Sequence, residues 1–435
     1  MRYDTWQSLP GMFFGIAEQG GDSAFLWAKQ DGQYQPLSWR DTARRVRAMA
    51  KGLSKLGIAA GERVVIIAEN RPEWVIADLA IMTLGAISVP AYTTNTVRDN
   101  RHILSDCGAK GAIVSTRALA ARLLPAAAEV AACEFIVSME ATEAGAFDIA
   151  LYEWPAVMAM GEASDHDLES TLQAQTRSDT ACLIYTSGTG GNPKGVMLSH
   201  AAVMANCRGA CELLLQLGLG DEVFLSFLPL SHAYEHTAGL YFPISIKAQI
   251  YYAESVETLS ANLLEARPTI MVSVPRLYEV MHWRITLGLK RQSAIKQHLF
   301  ARAVALGRKS YENPGSLGVV QAALNRVLEG LVRDKVRARF GGRLKAMISG
   351  GAPLNSEVGL FFTALGIRLL QGYGQTEAAP VISCNPPNLV KLHTVGPALE
   401  GVEVKIAEDG EILARGELVM NGYWNDAAST RNVLH

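Results

Sequence analysis

The chain has 435 residues, 49% apolar and 19% charged, and its 40 Lys+Arg against 42 Asp+Glu leave a formal net charge of −2. At roughly 150 residues per domain, this length predicts about three domains or subdomains with sizeable cores. The composition excludes disordered, collagen-like and coiled-coil chains, and the near-neutral balance argues against a nucleic-acid partner.

Six cysteines, none in a C-x-x-C pair, are too sparse for a disulfide scaffold, and a reducing cytosol fits them. Cys207 and Cys211 share one helix face and read as buried free thiols. The start, MRYDTWQSLPG, has no apolar run of the secretory type. The longest apolar stretch, VIADLAIMTLGAISVPAY, contains Asp78 and a glycine, so it reads as helix plus strand and not as a membrane span.

In chain order, TARRVRAMAKGLSKLG places Val46, Met49, Leu53 and Leu56 on one helical stripe. RVVIIA then reads as a buried strand, PEWVIADLAIMTLG as a helix with Pro72 in its first turn, and ISVPAY as a strand. RDNRHILSDCG predicts a helix stopped by glycine, and AIVST and FIVSM are short strands. Residues from about 139 to 178 are less regular and read as a crossing segment between two lobes. A second series starts at ACLIYT and continues through VFLSFLPL, AQIYY, TIMVSV, LKAMIS and IRLLQ. Strand–helix alternation of this kind predicts mainly parallel sheets with helices on both faces. Between Pro275 and Arg343 the pattern is helical and basic, which is either a solvated surface or a face turned to an anionic ligand or membrane. After Gly374, VEVKIAEDGEILARGELVM holds short strands around Asp409-Gly410, a hairpin signal within a small all-β, barrel-like unit. The expected division is therefore 1–178, 179–373 and 374–435: two packed α/β subdomains and a small β subdomain.

The most informative segment runs from Tyr185 to Gly195, YTSGTGGNPKG, between the strand ACLIYT and a helix starting near Ser199. It fits neither the Walker A nor the G-x-G-x-x-G template, because Pro193 falls where each needs a later glycine. It still suits a polyphosphate. Gly188, Gly190 and Gly191 let backbone N–H groups approach closely, Thr186, Ser187 and Thr189 add hydroxyls, and Lys194 adds a point charge.

At these residues the chain resembles the AMP-forming acyl-CoA synthetases of the adenylate-forming superfamily. Their phosphate loop reads [YT]-S-G-T-T-G-x-P-K-G, and Gly190 stands here where the second threonine is usual. Four further segments agree: ISGGAPL with Gly350, Gly351, Ala352 and Pro353; QGYGQTE with Gln371, Gly372, Tyr373, Gly374, Gln375, Thr376 and Glu377; LPLSHAYE with His232; and GELVMNGYWN from Gly416. The resemblance implies that the 350–353 segment packs against adenine and acyl chain. It implies that Tyr373 stacks on adenine, Thr376 touches the α-phosphate, and Glu377 with Thr186 holds Mg²⁺. His232 would line the acyl and adenylate site. VSVPRLYEVMHWRI resembles the long-chain fatty acid members in particular.

The implied activity converts a fatty acid and ATP to acyl-AMP and pyrophosphate, then transfers the acyl group to CoA. The implied location is the cytoplasm, with a second reading at the inner face of a membrane. Acyl-AMP ligases, other carboxylic acid–CoA ligases and a binding module without turnover are the competing classes. The family's mobile C-terminal domain, with its own lysine, is expected beyond Asn432-Val-Leu-His435, and the given chain reads as the large N-terminal domain alone.

Overall fold

The structure, a computed structural model, describes residues 3–186 and 192–434. Two eight-stranded sheets dominate it. The first has the order Gly422–Tyr423, Lys194–Ser199, Thr180–Thr186, Ile87–Pro90, Arg63–Ile67, Gly111–Val114, Phe135–Ser138, Ala150–Glu153. From Thr180–Thr186 onward its neighbours are parallel. Strands such as Ile87–Pro90 and Gly111–Val114 are buried throughout, as expected where helices cover both faces. The helix Val97–Cys107 ends on Gly108 in the left-handed region (φ 60°), as its sequence predicts.

The second sheet runs Val381–Cys384, Leu369–Gly374, Ala346–Ser349, Ile270–Ser273, Val223–Ser226, Gln249–Tyr252, Ala24–Gln30, Gln33–Ser38. Only its two outermost pairs are antiparallel. The sheets do not follow the division at residue 178. Thr180–Thr186 pairs with Ile87–Pro90 in the first sheet, and Ala24–Gln30 pairs with Gln249–Tyr252 in the second. The segment read as a crossing between lobes instead supplies the edge strand Ala150–Glu153 and two helices, Trp154–Glu162 and Leu168–Ala174. The former packs on the helix Trp39–Lys55 with backbones almost touching. A Cβ on Gly161 would lie 1.7 Å from the Ala48 carbonyl oxygen. On the Trp39–Lys55 helix, Ser38 caps the Asp41 N–H, and Val46, Met49 and Leu53 are buried as the stripe predicts.

No barrel forms among the described residues after Gly374. Glu403–Ile406 and Ile412–Arg415 make a two-stranded ribbon turned at Asp409-Gly410, while Val381–Cys384 and Gly422–Tyr423 extend the edges of the two sheets. The basic region forms the helices Pro275–Lys290, Ala294–Glu312, Val319–Leu328 and Asp334–Arg339. All six cysteines are free and buried. Among the described residues no helix is long and apolar enough to cross a membrane.

The helix Pro72–Thr83 is buried on every side and belongs to a core that takes side chains from both sheets. Its one ionisable buried residue is Asp78. Asp78 accepts from His236 Nε2 at 3.1 Å and from the Tyr241 hydroxyl at 2.6 Å. Burial opposes the imidazolium, but Asp78 outweighs it, and the His236 pKa is pushed up to about 10. A histidine whose folded pKa lies above the unfolded value stabilises the fold below about pH 6.5 and loses that contribution as pH rises through its folded pKa. His236→Ala, which strands Asp78, should therefore cost about 3–5 kcal/mol at pH 6. It should also flatten the fall in stability between about pH 6.5 and 10 that the parent chain shows. Urea unfolding at the two pH values checks both, and a variant that tracks the parent curve would contradict the ion pair.

Candidate active site

The carboxyl ends of the parallel strands collect most of the residues singled out in the sequence, where open α/β sheets place their ligands. The glycine-rich segment joins two antiparallel strands, Thr180–Thr186 and Lys194–Ser199, with Thr186 opposite Lys194. It is thus a hairpin connection, and the helix His200–Leu214, capped by Ser199, follows the second strand. Ser187, Gly188, Thr189, Gly190 and Gly191 lie outside the described residues. The base of the hairpin is firmly held. Tyr185 donates to Asp106 at 2.6 Å, His102 bonds the Pro193 carbonyl at 2.9 Å, and Trp424 N–H donates to the Gly195 carbonyl at 2.8 Å.

Lys194 extends over the ring of Tyr423, 5.2 Å from its centroid, and ends against the helix Ala427–Val433. There its ammonium donates to Ser429 Oγ and lies 3.3 Å from Asp426. The Ser429 hydroxyl and N–H, with Lys194 beyond them, hold the Asp426 carboxyl below the usual range. On the other side the Tyr423 hydroxyl donates to Glu377 Oε1 at 2.8 Å. Burial and the Glu377 carboxylate both push the Tyr423 pKa up. Tyr423 thus brings Lys194 and Glu377 together across 183 positions of chain. Sequence reading assigned no role to Tyr423, Asp426 or Ser429. Tyr423 lay in the quoted GELVMNGYWN segment, but no residue type there marks it as a bridge.

His232 stands on a turn after the strand Val223–Ser226. It is exposed on one side, and the protein packed on the other lowers its pKa. Its Nδ1 accepts the Tyr234 N–H at 3.1 Å, so the neutral ring carries its proton on Nε2. Tyr234 connects this turn to the next strand end, because its hydroxyl donates to the Ile348 carbonyl at 3.1 Å. A Cβ on Gly350 would lie 2.9 Å from the Tyr234 ring, and Gly351 has φ +82°, so both glycines are required by local geometry. Ala352 and Pro353 are exposed beside them.

Gln371 points inward. Its Oε1 accepts the Leu354 N–H at 2.8 Å and its Nε2 donates to the Thr394 carbonyl at 3.0 Å. Its side chain therefore supports the Gly350–Pro353 turn rather than lining the cleft. Gly374 packs so tightly that a Cβ would sit 1.8 Å from the Pro380 carbonyl oxygen. Gly372 and Tyr373 lie on the strand Leu369–Gly374, and Thr376 and Glu377 on a single turn just past it, with Gln375 exposed between. Behind Tyr234 a small apolar cavity of about 40 Å³ is lined by Leu213, Phe224, Phe242, Ile270 and Ile348. A larger open groove of about 930 Å³, past Tyr311, Lys345 and Arg368, lies at the amino ends of the strands and shares no residue with this cleft.

Among the described residues no group of three or more His, Cys, Asp or Glu side chains could hold a metal ion. One carboxylate, Glu377, and one hydroxyl, Thr186, are hard oxygen donors of the kind Mg²⁺ accepts when nucleotide phosphates complete its shell. The donor set fits an ion that arrives with its nucleotide.

Comparisons with known proteins bear on the family and the fold. A long-chain-fatty-acid–CoA ligase from Mycobacterium bovis, FadD15, is 33% identical over 402 residues. That match covers 92% of this chain, and the chain spans 66% of the ligase's own length. The N-terminal domain of FACL13 from Mycobacterium tuberculosis matches at TM-score 0.72 with 18% identity, over 99% of this chain and 94% of that one. The adenylation domain of a carboxylate reductase from Mycobacterium chelonae matches at TM-score 0.76 with 21% identity, over 98% of this chain and 68% of that one. The fold is that of the N-terminal domain of adenylate-forming enzymes. The family model described as AMP-binding enzyme matches residues 14–424, and the chain belongs to that family.

Proposed function

We propose that this chain activates a long-chain fatty acid with ATP and passes the acyl group to CoA. In the first step a carboxylate oxygen attacks the α-phosphorus, the bond to the pyrophosphate oxygen breaks, and acyl-AMP and pyrophosphate result. In the second step the CoA sulfur attacks the acyl carbonyl, AMP leaves, and the thiol proton goes to solvent. The meeting of Lys194 and Glu377 on Tyr423 is the observation that carries this reading.

The first step brings two anions together, so its cost is charge repulsion and alignment. Lys194 supplies a cation at the mouth of the hairpin, in a position where a polyphosphate would compete with Asp426 for it. Thr376, beside Glu377, offers a hydroxyl toward the α-phosphate. His232, with its proton on Nε2, offers a donor to the carboxyl oxygen of the acid. Tyr373 would give adenine a stacking face, and Ser187 to Gly191 would supply backbone N–H donors to the phosphates. Glu377 and Thr186 would hold Mg²⁺, which neutralises phosphate charge when bound. Glu377→Gln keeps the shape and removes the charge. It should lower acid-dependent pyrophosphate release by about a hundredfold or more. Release at the parental rate would remove Glu377 from the chemistry, and no acid-dependent release by either protein would favour a binding module.

We further propose that the basic helical region rests on an anionic membrane surface. No Asp or Glu stands between Glu279 and Glu312, while Arg284, Lys290, Arg291 and Lys296 are exposed there. Trp283 and Ile295 stand beside them, 63% and 74% exposed. Cations near an anionic bilayer contribute about 1 kcal/mol each, and an exposed indole settles at the headgroup level. The chain should co-sediment with phosphatidylglycerol vesicles at low salt and not with phosphatidylcholine vesicles. The combination Trp283→Ser, Lys290→Glu, Arg291→Glu should abolish this and leave ATP binding unchanged. Equal binding by parent and variant would move the contact elsewhere.

A further inference from the structure

We infer that Asn70 is a positioning residue for His232, reaching across from the first sheet. The inference rests on the placement of His232 in the site. The His232 turn is closed locally, with its N–H donating to the Pro229 carbonyl at 3.0 Å and its carbonyl accepting from His236 N–H at 2.9 Å. Besides the Tyr234 hydroxyl on the Ile348 carbonyl, this turn is tied to the rest of the molecule by a side chain 162 positions earlier. Asn70 lies between the strand Arg63–Ile67 and the helix Pro72–Thr83. Its Nδ2 donates to the Leu228 carbonyl at 2.6 Å and to Ser226 Oγ at 2.9 Å, and its Oδ1 accepts the Leu230 N–H at 3.1 Å. Both amide hydrogens and the carbonyl are therefore committed to the approach to His232.

The link continues past the turn. Ser226 donates its hydroxyl to Glu235 Oε1 at 2.6 Å. Glu235 is 1% exposed, and burial raises its pKa to about 8. It opens the π-helical stretch Glu235–Tyr241, with its carboxyl group packed on Gly239, where a Cβ would come within 2.4 Å. One amide thus ties the entry of the turn directly and its exit through Ser226 and Glu235. Only an asparagine amide matches this set. Aspartate keeps the acceptor and the shape but loses both donors, and glutamine displaces the amide by one methylene. His232 takes its place from the first sheet while presenting Nε2 over the cleft of the second.

Calorimetric titration with ATP and with the non-hydrolysable analogue palmitoyl-sulfamoyl adenosine tests this. The proteins are the parent, Asn70→Ala, Asn70→Asp, His232→Ala and the double variant Asn70→Ala/His232→Ala. Loss of a few oriented hydrogen bonds behind His232 should weaken the analogue about tenfold in both Asn70 variants. ATP affinity should stay within about twofold, which also shows that the variants fold. In the His232→Ala background, Asn70→Ala should add less than about twofold, because the group it positions is gone. Full additivity, or equal weakening of ATP and analogue, would reduce Asn70 to support of the fold and overturn the inference. Parental affinity in both Asn70 variants would overturn it as well. Parental affinity in His232→Ala would instead overturn the placement of His232 itself, and the inference with it.

Discussion

The buried contact of Asp78 with His236 and Tyr241 joins the helix Pro72–Thr83, which follows a strand of the first sheet, to a helical stretch that follows a strand of the second. Both charged side chains are fully shielded from solvent. A charge pair in that setting tolerates little misplacement, since either partner alone would be a desolvated ion. Tyr241 and His236 come from the π-helical stretch that also carries Glu235. Such stretches widen a helix by one residue per turn and recur at functional sites. Here the widening lets successive side chains face two demands, with His236 and Tyr241 turned to Asp78 and Glu235 turned to Ser226. The turn bearing His232 is the amino-terminal continuation of this anchored segment.

The cleft above it is assembled by side chains that bridge strand ends. Tyr234 links the His232 turn to the Gly350 turn, Gln371 links that turn to the Leu369–Gly374 strand, and Tyr423 links Glu377 to Lys194. Two of the three bridges are tyrosines, which combine a rigid apolar ring with one polar atom at its tip. The arrangement separates functions along the cleft. Charged groups gather where Tyr423 stands, and the walls behind Tyr234 are hydrocarbon. A substrate with an anionic head and an apolar tail matches that polarity.

Much of this was legible in the residues. Continuous apolar runs such as Val64–Ile67 mark strands covered on both faces, Ser199 marks a helix start, and Gly108 a helix stop. The Gly350–Pro353 segment follows the strand Ala346–Ser349, and Thr376 and Glu377 follow the strand Leu369–Gly374. Pairing was not legible. The run Thr180–Thr186 is apolar enough for any central position, and nothing in it names Ile87–Pro90 as its neighbour. Lys194–Ser199 was missed because it carries a lysine and a glycine and follows a turn-like loop. The barrel failed because short β-rich segments can equally extend the edges of existing sheets. Asn70 and Tyr423 gave no signal, since a lone polar or aromatic side chain acquires its role only from what the fold sets opposite it.

The central claim is that one cleft holds an adenylate at its charged end and a long acyl chain at its apolar end. The most direct measurement is a series of binding constants for acyl-sulfamoyl adenosines of increasing chain length. If the acyl chain widens the small cavity behind Tyr234 and its added methylenes are buried there, each contributes about 0.8 kcal/mol, close to fourfold in affinity. The account predicts steady tightening from about eight carbons toward sixteen, and loss of that trend when Phe224 is replaced by lysine. Affinity that is flat with chain length, or highest for an acetyl or benzoyl head, would contradict it.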